Sequence, residues 1–304
     1  MKSTVLIASL GITVLGWTLF AAAVPSPPAQ APGPGGAPAA PSGRGYARPQ
    51  VIDFQDHDGW RSLFDGRSLT GWDGNRDVWK VEDGVIVAQT TPEHRIGTTF
   101  LIWKDEPFAD FELKLEVKLT DTVNSGIAYR SWIDPDRGAR LGPAAAAPPA
   151  PPRTGGPAPG RGGRGPQGPV HVASDPRWML YGAGMDNDAD RRTTGNIEDR
   201  GTARRLIGWR GAVVRTAAGK LPSLIGTLGD PDVLREVIKA DDWNQVHIIA
   251  KGGHLTHIIN GQTMAMTFDD DATFLTPSGL LGWSIETGGF GRVMVRSVWI
   301  RTLR

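Results

Sequence analysis

The segment Phe111-Glu-Leu-Lys-Leu-Glu-Val-Lys-Leu119 alternates without exception, apolar at every odd position and charged at every even one. A period of two belongs to extended chain, whose successive side chains point to opposite faces, so one face of this stretch needs a core and the other needs water. That pattern marks an antiparallel sheet covered on one side. Further strands are expected at Val78–Val81, Val85–Gln89, Thr99–Trp103, Ser125–Ser131, Val246–Lys251, His254–Ile259, Thr263–Phe268, Leu280–Glu286 and Val293–Arg301. Turn signals separate them: Glu82-Asp83-Gly84, Asn124-Ser125-Gly126, Lys251-Gly252-Gly253 and Asn260-Gly261, the last being the strongest short hairpin signal. Only Asp230–Lys239 reads as helical. Many short strands with close turns predict an all-β sandwich.

Not all 304 residues take part. An apolar run from Val5 to Val24, with Ala21-Ala22-Ala23 at its end, reads as a secretory signal peptide over 1–23, and an uncleaved anchor is the competing reading. A Pro/Ala/Gly linker is expected over 24–50 and one sandwich domain over 51–304, the folded part lying outside the cytoplasm, periplasmic or extracellular. Within that domain, residues 138–169 hold nine Pro, nine Gly, seven Ala and four Arg and no acid, which predicts a disordered insert. There are no cysteines, so neither disulfides nor thiolate chemistry enter. Net charge is +1 without a basic run among aromatics, which argues against a nucleic-acid partner. Eleven tryptophans against three tyrosines suit either a large core or stacking on sugar rings.

Parity assigns faces. With residues 111, 113, 115, 117 and 119 toward the core, Glu112, Lys114, Glu116 and Lys118 line a polar face. In Asn124-Ser-Gly-Ile-Ala-Tyr-Arg130, Ile127 and Tyr129 take the core side, which leaves Ala128 and Arg130 on the polar one.

The segments GWRSLFDGRSLTGW (59–72), WKVEDGVIVA (79–88), FADFELKLEVKL (108–119), NSGIAYR (124–130), WNQVHIIAKGGHLTHIINGQ (243–262) and GLLGWSIETGGFGRVMVRSVWIR (279–301) occur in one order. Together they resemble the 3-keto-disaccharide hydrolase family, whose members are described as 3-keto-glucoside 1,2-lyases or 3-keto-2-hydroxyglucal hydratases. The resemblance implies a concanavalin A-like jelly roll, export, and a small carbohydrate held on a concave sheet face. It also implies chemistry in which a C3 ketone acidifies the C2 hydrogen, a base removes that proton, and the C1 substituent is eliminated. Such a reaction needs a base, a cation for the enolate oxygen and an acid for the leaving group; a divalent metal ion could replace the cation.

On the family pattern, Asp186 and Asp199 fall at the acids of its central motif and Glu198 where a tyrosine is usual, while Ala183-Gly184 replace its aromatic and glutamine. Near the C-terminus the family's Gln-x-His-x-Gly becomes Ser284-Ile-Glu286-Thr-Gly288. The catalytic candidates are therefore Asp186, Asp199, Arg130 and Glu286, with Glu116, Asn124, Ser284 and Glu198 as substrate contacts. Arg130 could equally be a salt-bridge partner of Glu112 or Glu116, and Asp186, Asn187, Asp188 and Asp190 could be loop caps. An EF-hand reading fails, since Arg191 stands at the required glycine and Ile197 at the bidentate glutamate. His247, His254 and His257 do not have three-histidine metal spacing and read as solvent-facing hairpin residues. A retaining glucanase of this fold would need a Glu-x-Asp-x-Glu run, which does not occur. The reading leans to an enzyme acting on 3-keto-glycosides, with a non-catalytic carbohydrate-binding sandwich as the alternative.

Overall fold

The computed structural model describes residues 53–134, 178–179, 181–187 and 193–304. The expected signal peptide, linker and insert lie outside the described residues, as do Asp188 and Asp190. Val51 to Arg304 form one compact unit.

Among the described residues two large sheets account for nearly all the strands, numbered here in chain order. The smaller sheet runs β12 (Arg205–Gly208), β11 (Ile197–Asp199), β10 (Tyr181–Asp186), β7 (Asn124–Ser131), β18 (Gly279–Glu286), β5 (Thr99–Phe108) and β2 (Trp72–Asp73). The larger runs β14 (Ser223–Thr227), β13 (Ala212–Ala217), β17 (Gln262–Asp270), β16 (His254–Ile259), β15 (Asn244–Lys251), β6 (Phe111–Leu119), β19 (Gly291–Thr302), β4 (Val85–Thr90) and β3 (Lys80–Glu82), with β1 (Arg61–Ser62) beside β19. A further pair, β8 (Ile133–Asp134) and β9 (Trp178–Met179), stands apart. Pairing is antiparallel except between β13 and β17. Helix α1 (Pro231–Arg235) is capped by Asp230, whose carboxylate accepts from the Asp232 and Val233 amides.

The sheets pack face to face as the sandwich the patterning predicts and in the jelly-roll form the family resemblance implies. Odd residues of β6 are buried against Ile127 and Tyr129 of β7 and Leu281, Trp283 and Ile285 of β18. The tryptophan question resolves toward packing: Trp72, Trp79, Trp103 and Trp283 are all core, with Trp72 tilted 4.4 Å from Trp283. Each such side chain removes a large apolar area from water. Asp83-Gly84 and Asn260-Gly261 both carry positive φ at the two central positions, as hairpin turns matching the strand twist require.

Two expectations are corrected. Asn124-Ser125-Gly126 is not a turn but the start of β7; the reversal is made earlier, where Asp121 has φ 54°. The polar residues of β6 and the outward residues of β7 do not share a face, because the two strands belong to different sheets and their outer faces look in opposite directions. The stretch 181–227 contributes five strands that alternation did not reveal, since glycines at 182, 184, 208 and 226 blank out the pattern.

Candidate functional site

Ile127, Ala183, Met185, Ile197, Trp283 and Ile285 point from the smaller sheet into the core. The residues between them therefore face outward, and cross-strand registry sets them in rows. Ser284 lies opposite Gly126, and Gly126 opposite Gly184; one row on, Glu286 lies opposite Asn124, and Asn124 opposite Asp186. Phe100, Ile102 and Ala128 form an apolar cluster on the same outer face, with Ile133 and Leu280 packed against it.

The two glycines leave the middle of this face bare. A Cβ on Gly184 would stand 2.7 Å from Glu198 Oε1, and one on Gly126 3.7 Å from Glu286 Oε1. Two carboxylates thus lie over backbone floor, and one guanidinium links them. Arg200 grips Glu198 at two points, Nε to Oε2 at 2.5 Å and Nη2 to Oε1 at 3.1 Å, and reaches Glu286 Oε2 with Nη1 at 3.5 Å. Asn124 Nδ2 donates to Glu286 Oε2 at 3.0 Å, and Ser284 Oγ to Oε1 at 3.2 Å. Side-chain exposure is 13% for Glu198 and 17% for Glu286. Burial pushes the Glu286 carboxyl above the usual range; Arg200 opposes the shift and the negative Glu198 adds to it. A carboxyl so placed can take and return a proton nearer neutrality than an exposed one.

Of the residues expected to converge, Glu286, Ser284, Asn124 and Glu198 do so. Arg130 does not. It sits with φ 44° at a register shift between β7 and β18, which turns its side chain away from the face its parity implied. There it donates to Ala109 O at 2.6 Å, Gly252 O at 2.5 Å and Asp110 Oδ1 at 2.8 Å, tying the β5–β6 connection to the β15–β16 hairpin turn. Asp199 is two residues from the core residue Ile197 and points the same way, inward, where Arg204 bridges it at 2.7 Å to Asp269 at 2.7 Å. Asp186 shares the outer row but folds back to cap its own loop, accepting from the Thr193 amide at 3.0 Å and from Thr194 Oγ1 at 2.8 Å. Glu116 lies on the outer face of the larger sheet, paired with Arg296 at 2.9 Å. His247 and His257 are buried at 5% and 2% exposure, not solvent-facing.

Arg200 was not singled out by sequence reasoning, although it stands two residues from Glu198, at the end of a short strand, where a basic side chain can reach back to that acid. Among the described residues no three His, Cys, Asp or Glu side chains are placed to hold a metal ion, so the donor set at Glu198 and Glu286 does not fit one.

An exported-type sandwich is not implied by these contacts, but a β-sandwich with a half-apolar, half-ionic outer sheet face is what they define. The 3-keto-α-glucoside-1,2-lyase-like domain matches residues 59–301. The chain belongs to that family, and with it to carbohydrate-active proteins. A search of curated protein sequences finds none that matches. Among solved structures, the chain is similar to a putative glycosyl hydrolase from Parabacteroides distasonis, at 16% identity over 81% of this chain and 95% of that one, TM-score 0.43. It is also similar to the carbohydrate-binding module CBM66 from Bacillus subtilis (11% identity, 76% and 96% coverage, TM-score 0.39). A Bacillus subtilis protein with a galectin-like fold matches at 13% identity, 83% and 93% coverage and TM-score 0.39.

Proposed function

We propose that this protein is an exported enzyme that acts on 3-keto-glycosides by elimination, with Glu286 as the base. The observation that carries the proposal is a largely buried carboxylate, Glu286, held by Asn124 and Ser284 with a guanidinium 3.5 Å away. In the proposed reaction Glu286 takes the proton from C2 of the ketosugar, and the C2–H electron pair becomes the enolate of the C3 ketone. Arg200, always charged, faces the developing negative charge. The enolate then collapses to a C1=C2 double bond as the C1–O bond breaks, and the departing alkoxide takes up the proton that Glu286 holds.

The test is loss of ketosugar on incubation with a 3-keto-glucoside. Glu286→Gln, which keeps shape and loses the base, is expected to lower turnover by about tenfold or more with the fold intact. A Gln variant as fast as the parent sinks the assignment. A parent that binds the sugar without consuming it makes the protein a carbohydrate-binding sandwich instead.

A further inference from the structure

The guanidinium of Arg200 has two carboxylates within reach and does not share itself evenly. One edge of it, Nε and Nη2, is committed to Glu198 at 2.5 and 3.1 Å, while Glu286 receives one long contact from Nη1 at 3.5 Å. A two-point arginine–carboxylate pair is the stronger and more directional arrangement. Gly184 makes it possible, because a Cβ there would occupy the space of the Glu198 carboxylate, 2.7 Å from Oε1. Glu198 is also held in place from below by the strand: Ile197 and Asp199 on either side are both fully buried.

We propose that Glu198 is a positioning residue, which by engaging Arg200 at two points holds the guanidinium back from Glu286 and leaves that carboxylate able to accept a proton. The role rests on Glu286 being the base. Without Glu198, Arg200 would close further on Glu286, which it already reaches at 3.5 Å, and a fully paired carboxylate holds protons poorly.

Among the described residues, the other groups near Glu286 make different contacts. Asn124 from β7 and Ser284 from its own strand are neutral. Thr98, before β5, meets the amide of Thr287 and not the carboxylate. Asp186, from β10, is turned to Thr193 and Thr194, and Arg95 lies over the Phe290 ring. The Glu286 carboxyl is raised chiefly by burial; Arg200 opposes that shift and the charge of Glu198 adds to it.

The experiment is a titration of Glu286 in the full chain, followed by carbon NMR with glutamate labelled at the side-chain carboxyl and assigned by its absence in Glu286→Gln. Glu198→Gln is expected to lower the Glu286 midpoint by about one pH unit or more. Glu198→Asp, which keeps the charge, should restore most of the parent value. On a 3-keto-glucoside the acid limb of the kcat/KM profile should move by the same amount. A purely structural Glu198 would change stability and leave both readouts where they were, and an unchanged midpoint overturns the proposal. Should Glu198→Gln fail to fold, Arg200→Lys decides the matter. An ammonium cannot make the two-point contact and is drawn to both acids, so the midpoint must fall there also, and a fixed midpoint again overturns it. Absence of turnover by the parent would remove the enzymatic reading while the NMR titration still judged the Glu198–Arg200–Glu286 relation.

Discussion

At Arg130 one side chain serves three acceptors on two turns, and Asp110 Oδ1 adds a fourth bond by accepting the Gly252 amide at 2.9 Å. Its side chain has no exposed surface. A planar fork fits this set and an ammonium does not. Arg130→Met should therefore cost about 3 kcal/mol of stability in urea denaturation, and Arg130→Lys should recover little of it. A loss of activity at unchanged stability would instead place Arg130 at the chemistry. Glu286 makes the opposite kind of contribution. Its pKa is raised in the folded state, so the folded protein binds the proton more tightly than the unfolded chain. The stability this gives is present below the unfolded value of 4.5 and is lost as pH rises through the folded value. Once pH exceeds that folded value the fold carries an ionised carboxylate it would prefer neutral, and Glu286→Gln should be no less stable than the parent there. Denaturation midpoints followed upward in pH check this, a lower midpoint for the variant at the alkaline end counting against it.

Among the elements, β10 is the one whose sequence matters most to the site and least resembles a strand. In its Gly182-Ala-Gly-Met185 run glycine alternates with the core residues Ala183 and Met185, so the outer face of the strand is bare where Glu198 crosses it. Glycine weakens a strand, and its use here is close approach. Gly184→Ala would push a methyl into the Glu198 carboxylate and into Thr193 Cβ, 2.8 Å away, with no backbone strain to relieve. The expected result is a fall in kcat/KM of about tenfold, through displacement of Glu198 and Arg200, with the melting temperature within a few degrees of the parent. Equal activity would show that Glu198 has room to move. The bulge at β7 is the second instructive element. One residue out of register at Arg130 converts an outward side chain into a clamp, and only the pairing with β18 shows it.

Over the whole molecule, two buried groups set how the sandwich meets acid. His257 lies between the sheets with its Nε2 2.8 Å from the Tyr129 hydroxyl, and burial lowers its pKa to about 4. The unfolded chain, at 6.5, binds that proton first, so stability is full above 6.5 and is lost as pH falls toward 4. Glu112, hydrogen-bonded to His247 and paired with Arg301, is lowered to about 2 from 4.5. Its contribution is present above 4.5 and is lost as pH falls through about 2. Stability should thus decline in two overlapping steps on acidification. His257→Gln, which can still bond Tyr129 but does not titrate, should flatten the upper step and leave the lower. Urea midpoints from pH 7 to pH 3 measure both, and an unchanged slope between 6.5 and 4 would remove His257 from the account.

The fold class followed from the sequence because period-two alternation in 111–119 and paired turn residues such as Asn260-Gly261 are local properties, fixed by strand geometry before any tertiary contact forms. The family motifs were legible for the same reason, each lying within one strand or hairpin. Parity also placed Ser284 and Glu286 together and away from Trp283 and Ile285. What parity cannot carry is the identity of the neighbouring strand. Glu116 and Glu286 both face outward, yet β6 and β18 belong to opposite sheets, and nothing within either segment says so. Arg130 and Asp199 were lost to the same kind of cause, a register shift in one case and an inward-facing third position in the other. The meeting of Glu198, Arg200 and Glu286 needed β11 to join β10, β10 to join β7 and β7 to join β18. Those are non-local pairings, selected by burial of a shared core and not by the residues that end up on the wet face.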